Sequence, residues 1–116
     1  MAFDLLISNG LVVDGTGLPR RRADVAIRDG RIVGIGHFDA ASACRVIDAK
    51  GRIVAPGIVD PHTHYDPQLT FEPYGTSSCY HGVTTVAAGN CGFSVAPTRV
   101  GDRGSITQIF GRVEDM

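Results

Sequence analysis

Short apolar runs separated by glycine-rich turns set the rhythm of the first half of the chain. Phe3 to Ser8 reads as a strand, Asn9-Gly10 as a turn and Leu11-Val12-Val13 as a second strand. Asp14-Gly15-Thr16-Gly17 with Pro19 is a loop. From Ala23 to Arg28 the residues alternate, Val25 and Ile27 on one face and Asp24, Ala26 and Arg28 on the other. Asp29-Gly30 then supplies a compact hairpin turn, and Arg31 to Gly36 returns as its partner with Ile32, Val33 and Ile35. Phe38 to Ala43 is small and polar, a loop or a single helical turn. Arg45 to Asp48 and Arg52 to Ala55 are further short strands joined through Ala49-Lys50-Gly51. This series of short antiparallel strands predicts a portion of a β-sandwich.

At Pro56-Gly57 the pattern breaks, which places a boundary between a sandwich portion, 1–55, and a second module, 56–116. Ile58 to Asp60 is a short apolar strand that runs straight into Pro61-His62-Thr63-His64. Tyr65 to Pro73 reads as loop, Pro67 and Pro73 excluding a long helix. Tyr74 to His81 reads as about two helical turns stopped by Gly82. Val83 to Ala88 shows little alternation, as expected of a parallel strand covered on both faces, and ends in Gly89-Asn90-Cys91-Gly92. Ser94 to Thr98 is loop. Ser105 to Phe110 starts a helix capped by Ser105 or Gly104, with Ile106, Ile109 and Phe110 on one face, and Gly111 interrupts it. Arg112 to Met116 carries no stop signal.

The order strand, His pair, loop and helix, strand, Cys loop is a βαβ unit with candidate ligands beyond the C-terminal ends of both strands, where α/β barrels carry their active sites. Such a barrel takes roughly 250 residues, and this chain has 116. The module is therefore expected to be incomplete on its own, either the front part of a larger protein or a piece that a partner completes.

Composition and charge narrow the function classes. A formal net charge of −1 argues against nucleic acid or an anionic membrane as partner. The one basic cluster, Arg20-Arg21-Arg22, reads as a solvated turn. No apolar run approaches the ~20 residues of a membrane span, and Met1 to Asn9 lacks the basic region and cleavage site of a signal peptide. Three cysteines, Cys44, Cys79 and Cys91, form no close-spaced pair and fit reduced thiols in a cytoplasmic protein.

In extended chain, residues two apart share a face, so His62 and His64 project together with Thr63 turned away. Two imidazoles at a strand's end can supply two nitrogens to a cation such as zinc. A His-x-His pair alone is a weak signal and fits ordinary polar residues at a strand–loop junction equally well. The context strengthens it: an apolar strand feeding the pair, Asp60 two residues before it, Asp66 two residues after it, and Cys91 farther on. Asp60 and Asp66 either accept an imidazole N–H or finish the strand and cap a loop. Taken alone, Cys91 reads as a buried thiol; flanked by Gly89 and Gly92 at a strand end, it reads as a ligand. Cys44 and Cys79 are assigned to the core, His37 and His81 to structural positions. Ser94 lacks the Gly-x-Ser-x-Gly turn of serine hydrolases.

With these residues in view the chain resembles the amidohydrolase superfamily, in particular its N-acyl-D-amino-acid deacylase (D-aminoacylase) branch. The resemblance runs over nearly the whole chain: Leu5 to Asp14 with Gly15-Thr16-Gly17, Asp29-Gly30-Arg31-Ile32, Asp48-Ala49-Lys50-Gly51, Ala55-Pro56-Gly57-Ile58-Val59-Asp60-Pro61-His62-Thr63-His64 and Gly82-Val83-Thr84-Thr85-Val86. The Pro-Gly…Asp-x-His-x-His element marks the superfamily, and Gly89-Asn90-Cys91-Gly92-Phe93-Ser94-Val95-Ala96-Pro97 is similar to the deacylase branch. The resemblance implies an N-terminal β-sandwich fused to a (β/α)8 barrel with one or two zinc ions at its mouth; ligand type alone leaves other divalent ions open. His62 and His64 match the ligands of the first strand and Cys91 a cysteine ligand of the second. The family pattern puts the His pair and Cys91 at two neighbouring metal positions, whereas one ion serves all three if the geometry allows.

Further histidines and the catalytic aspartate are implied to lie outside this chain, which alone is expected to be inactive. The implied reaction is hydrolysis of the amide bond of N-acyl amino acids, and of N-acyl-D-amino acids in particular, by metal-activated water. Two alternatives stand beside it. One is a cyclic amide or imide hydrolase, hydantoinase- or dihydroorotase-like, marked by a carboxylated lysine later in the protein; the other is a non-enzymatic binding or regulatory piece retaining the fold. The expected partners are the remainder of the barrel and a small acylated amino acid, with neither nucleic acid nor membrane, and an oligomer is left open. Acyl group, side chain and D/L preference are not legible here.

Overall fold

The computed structural model describes residues 2–92 and 94–113, so the readings that fall on Phe93 and on 114–116 lie outside the described residues. The chain forms two compact units, Met1–Pro56 and Gly57–Met116.

The first unit is built on one mixed five-stranded sheet. Its strands are β1 (Phe3–Val12), β2 (Arg21–Arg28), β3 (Arg31–Gly36), β4 (Ala43–Asp48) and β5 (Ile53–Val54). They lie in the order β3-β2-β1-β4, with β5 also paired to β1. The alternating pattern and the Asp29-Gly30 turn give antiparallel β2–β3 pairing, and β1–β2 is antiparallel as well. β4 and β5 instead run parallel to β1. The expectation of antiparallel strands throughout is corrected there: the chain between β3 and β4, including the 3-10 turn Ala40–Ser42, returns β4 alongside β1 in the same direction.

Asn9-Gly10 is the second correction. It does not reverse the chain but makes a bulge within one continuous strand, where the β1–β2 register shifts between Ile7 and Gly10. Asn9 takes a left-handed conformation (φ 61°) because partners meet it from both neighbouring strands. Its N–H donates to Asp24 Oδ1 at 2.8 Å and its side-chain amide to Asp48 Oδ1 at 3.0 Å. Gly10 follows because an added Cβ would lie 2.5 Å from Val54 Cγ2. The bulge also shifts the alternation by one residue, so Ile7 and Val12 pack in the same cluster with Ala23, Val25, Ile27 and Val54. A second cluster joins Leu6, Ala26 and Ala43 to Phe3 and Phe38, whose rings meet edge to face at 5.2 Å. Leu6 is fully buried, a contribution of about 1.5–3 kcal/mol.

Asp24 is buried too, and its carboxylate is satisfied by the Asn9 N–H and by the Phe38 N–H at 3.1 Å. Arg21 and Arg22 open β2 rather than lying in a turn, though both are exposed. Arg21 pairs with Asp14 at 2.8 Å. Cys44 is exposed, not part of the core, since the outer strand β4 has a neighbour on one side only.

In the second unit β6 (Ile58–Asp60) and β7 (Val83–Val86) form a parallel pair. Between them lie two single helical turns, α1 (Tyr65–Gln68) and α2 (Thr76–Cys79), and after them α3 (Arg103–Val113). Pro67 fits within α1, where the sequence predicts loop, because N–H groups in a first turn have no intrahelical acceptor. α2 is shorter than expected, Gly75 (φ 57°) delaying its start, and Cys79 on it is exposed rather than core. α3 starts at Arg103 and runs through Gly111 without interruption, with Phe110 buried. Gly57, just before β6, lies against the Thr84 side chain of β7: an added Cβ would fall 2.1 Å from Thr84 Oγ1 and 2.7 Å from Thr84 Cβ. β7, expected to be covered on both faces, is half-buried at Val83 and exposed beyond it, and Val59 of β6 is 64% exposed. Among the described residues no helix is long and apolar enough to cross a membrane.

Candidate metal centre

β6 ends at Asp60, and the chain then folds over its own carboxylate, the His62 N–H donating to Asp60 Oδ1 at 3.1 Å. The side chains nevertheless keep their alternation. Thr63 is buried and its hydroxyl donates to the carbonyl of Ala87 at 3.0 Å, while His62 and His64 are exposed. Their rings lie 5.9 Å apart and within 14° of parallel.

The third residue arrives from the end of β7. Ala87 N–H donates to the Asp60 carbonyl at 2.9 Å, extending the parallel pairing by one residue. A turn follows, closed by Gly92 N–H to the Gly89 carbonyl at 3.2 Å, with Asn90 and Cys91 at its centre. Gly89 (φ 78°) and Gly92 (φ 96°) take conformations that a side chain would strain. The Asn90 side-chain amide reaches across to the Pro61 carbonyl at 2.7 Å. Two strand ends are thus stitched together, and the ligand atoms of His62, His64 and Cys91 all lie within 4.8 Å of one another.

Zinc binds imidazole nitrogen at about 2.0–2.1 Å and thiolate sulfur at about 2.3 Å, so the edges of a tetrahedral site measure about 3.3–3.6 Å. The observed spread closes onto one ion with a small rotation of a side chain and equally accommodates two adjacent ions. Two imidazoles and a thiolate suit zinc and its borderline neighbours, not calcium or magnesium, which take oxygen. The residues present therefore fit the metal that the sequence implied. Cys91 is half-buried, and His62 and His64 line an open polar depression of about 240 Å³ together with Asp60, Gln68, Ser77 and Ser78. A ligand held at this place remains accessible to a small molecule.

Asp60 accepts from backbone, and Asp66 from backbone and a serine hydroxyl. Asp60 caps the loop ahead of His62. Asp66 receives the N–H of Gly89 at 2.9 Å and of Val95 at 3.1 Å, and the Ser94 hydroxyl at 2.7 Å. Burial works to raise the Asp66 carboxyl, but the Ser94 hydroxyl and the two N–H groups outweigh it and hold it below the ordinary carboxylate value. Ser94 thus serves here as a donor to the Asp66 carboxylate. Sequence reasoning missed Thr63 and Asn90 as ties between the strand ends. Their signal was position alone: Thr63 is the residue turned away from the pair, and Asn90 is the only amide in the cysteine turn. His37, His81, Cys44 and Cys79 do not join the group.

The amidohydrolase family model matches residues 45–105 of this chain. The chain belongs to the amidohydrolase family. A model of the urease alpha-subunit N-terminal domain also matches this amidohydrolase, over residues 1–57. The chain is 52% identical over 94 residues to the N-acyl-D-glutamate deacylase of Alcaligenes xylosoxydans xylosoxydans, a match covering 81% of this chain and 19% of that protein. Among solved structures it is similar to the N-acyl-D-glutamate deacylase of Bordetella bronchiseptica in complex with zinc and a phosphonate inhibitor (46% identity, TM-score 0.79, 87% of this chain and 21% of that one). It is similar also to a D-aminoacylase with a binuclear metal centre (48% identity, TM-score 0.76, 83% and 20%). The amidohydrolase chain thus spans about a fifth of the length of the relatives it matches.

Proposed function

We propose that this chain supplies the first part of the metal site of a hydrolase that cleaves the amide bond of N-acyl-D-amino acids. The observation that carries the reading is the convergence of His62, His64 and Cys91, from the ends of two parallel strands, to within 4.8 Å. In this reading the two imidazoles and the Cys91 thiolate hold one zinc or a neighbouring pair. A zinc bound there supplies activation of water toward a pKa of ~7 and polarisation of an amide carbonyl. The chain's own residues do the holding: Thr63 and Asn90 keep the strand ends in register, and Asp60 fixes the bend that presents the imidazoles. Similarity to deacylases acting on N-acyl-D-amino acids supports the substrate class.

In this proposal the remaining ligands and the aspartate that moves the proton come from further polypeptide, which continues the two-stranded sheet into a (β/α)8 barrel and covers the exposed faces of β6 and β7. The first unit, 1–56, is the corresponding portion of a β-sandwich. The test is hydrolysis by the complete protein. N-acetyl-D-amino acids are cleaved in preference to their L forms, chelation abolishes the reaction, and zinc restores it. Cleavage of hydantoins or dihydropyrimidines in place of acyl amino acids would favour the cyclic-amide alternative, and metal-independent binding without turnover the non-enzymatic one.

A further inference from the structure

We propose that Asp66 is the positioning residue for Cys91, its carboxylate clamping both arms of the loop that carries the thiol and so fixing the sulfur opposite the two imidazoles. The inference rests on the metal-site reading above. Asp66 Oδ2 takes the Gly89 N–H at 2.9 Å, two residues before Cys91. Asp66 Oδ1 takes the Val95 N–H at 3.1 Å and lies 2.7 Å from the Ser94 hydroxyl, three residues after the cysteine. One side chain therefore grips the loop on either side of its functional residue. Asp66 itself stands two residues beyond His64, within α1, so the clamp ties the thiol loop to the segment that displays the imidazoles.

The need for a clamp follows from the loop's composition. Gly89 and Gly92 allow the turn its left-handed positions, but glycine is also the residue whose backbone is least restrained, so the clamp adds to the turn's own Gly92–Gly89 bond and the Asn90–Pro61 tie. Three donors converging on one ionised carboxylate make bonds roughly twice as strong as neutral ones. Only a carboxylate accepts on both sides. The amide of asparagine accepts on its oxygen but presents N–H to the other arm of the loop, where it meets a donor. Asparagine thus keeps the shape of Asp66 and releases one arm.

The test uses the complete protein loaded with cobalt(II), whose thiolate-to-metal charge-transfer absorption reports the sulfur directly. The wild type is expected to show this band and Cys91→Ser to lose it. Asp66→Asn is expected to lower the band per bound cobalt and to weaken cobalt binding about ten- to a hundredfold, while the metal-free protein keeps a single cooperative unfolding transition. Ser94→Ala removes a single donor and should move both readings the same way by a smaller factor; it carries the test should Asp66→Asn fail to fold. A full band with unchanged affinity in these variants would overturn the positioning role, as would weaker binding with the band per cobalt intact. A wild type without the band would instead overturn the metal-site reading.

Discussion

Thr63 is the residue that turns His62 and His64 to the same side. Because it points inward and bonds the Ala87 carbonyl, the residues on either side of it must point outward together. Thr63→Val keeps the shape and removes the hydroxyl, and should cost about 1 kcal/mol, read as a shifted urea midpoint with unchanged slope. His62→Ala or His64→Ala should abolish hydrolysis in the complete protein, and Cys91→Ala should weaken metal retention, measured as zinc content after dialysis. The pair was legible in sequence because a period of two needs no tertiary information. The functions of Asp60 and Asp66 were not, because a carboxylate beside a histidine serves an imidazole or a backbone N–H equally well until the fold brings Gly89, Ser94 and Val95 to it.

Asp14 provides a test of electrostatics at the same scale. The Thr16 hydroxyl and N–H, with Arg21, lower its carboxyl to about 2. A folded value below the unfolded one, about 3.9, means that its contribution to stability is full above pH ~4 and is lost as pH falls toward ~2. An NMR titration should place the Asp14 carboxyl at about 2, and Thr16→Ala, which removes the hydroxyl but keeps the N–H and Arg21, should return it part of the way toward the ordinary value.

At the scale of elements, close backbone approach decides more than hydrophobic pattern does. Gly57 was visible in sequence as a break after Pro56 and as part of the Pro-Gly motif; the structure supplies its reason, since the residue before β6 lies so near the Thr84 side chain that no Cβ fits. Gly57→Ala should therefore push the parallel pair apart at a cost of about 1–3 kcal/mol, seen as a lowered unfolding midpoint, and Gly57→Ala with Thr84→Ala should recover part of it. Hairpin β2–β3 was legible because its pattern and its turn are local. β4 and β5 were misread as antiparallel because strand direction depends on where a connection leads the chain, and residues 37–42 carry no periodicity to declare it. Asn9-Gly10 was misread for a related reason: the same dipeptide suits a turn or a bulge, and Asp24 and Asp48, 15 and 39 residues away, select the bulge.

At the scale of the molecule, apolar side chains remain exposed on the β6–β7 pair, Ile58 and Val59 at 54% and 64%. A parallel pair left this exposed accords with a chain that spans about a fifth of the length of the relatives it matches. Whether His62, His64 and Cys91 hold metal together is read by X-ray absorption at the zinc edge of the complete protein. Bound zinc with imidazole scattering and one sulfur at about 2.3 Å is expected, the sulfur vanishing in Cys91→Ser and the imidazole signal diminishing in His62→Ala. Zinc surrounded only by oxygen and nitrogen in the wild type, or a spectrum unchanged by either substitution, would contradict it.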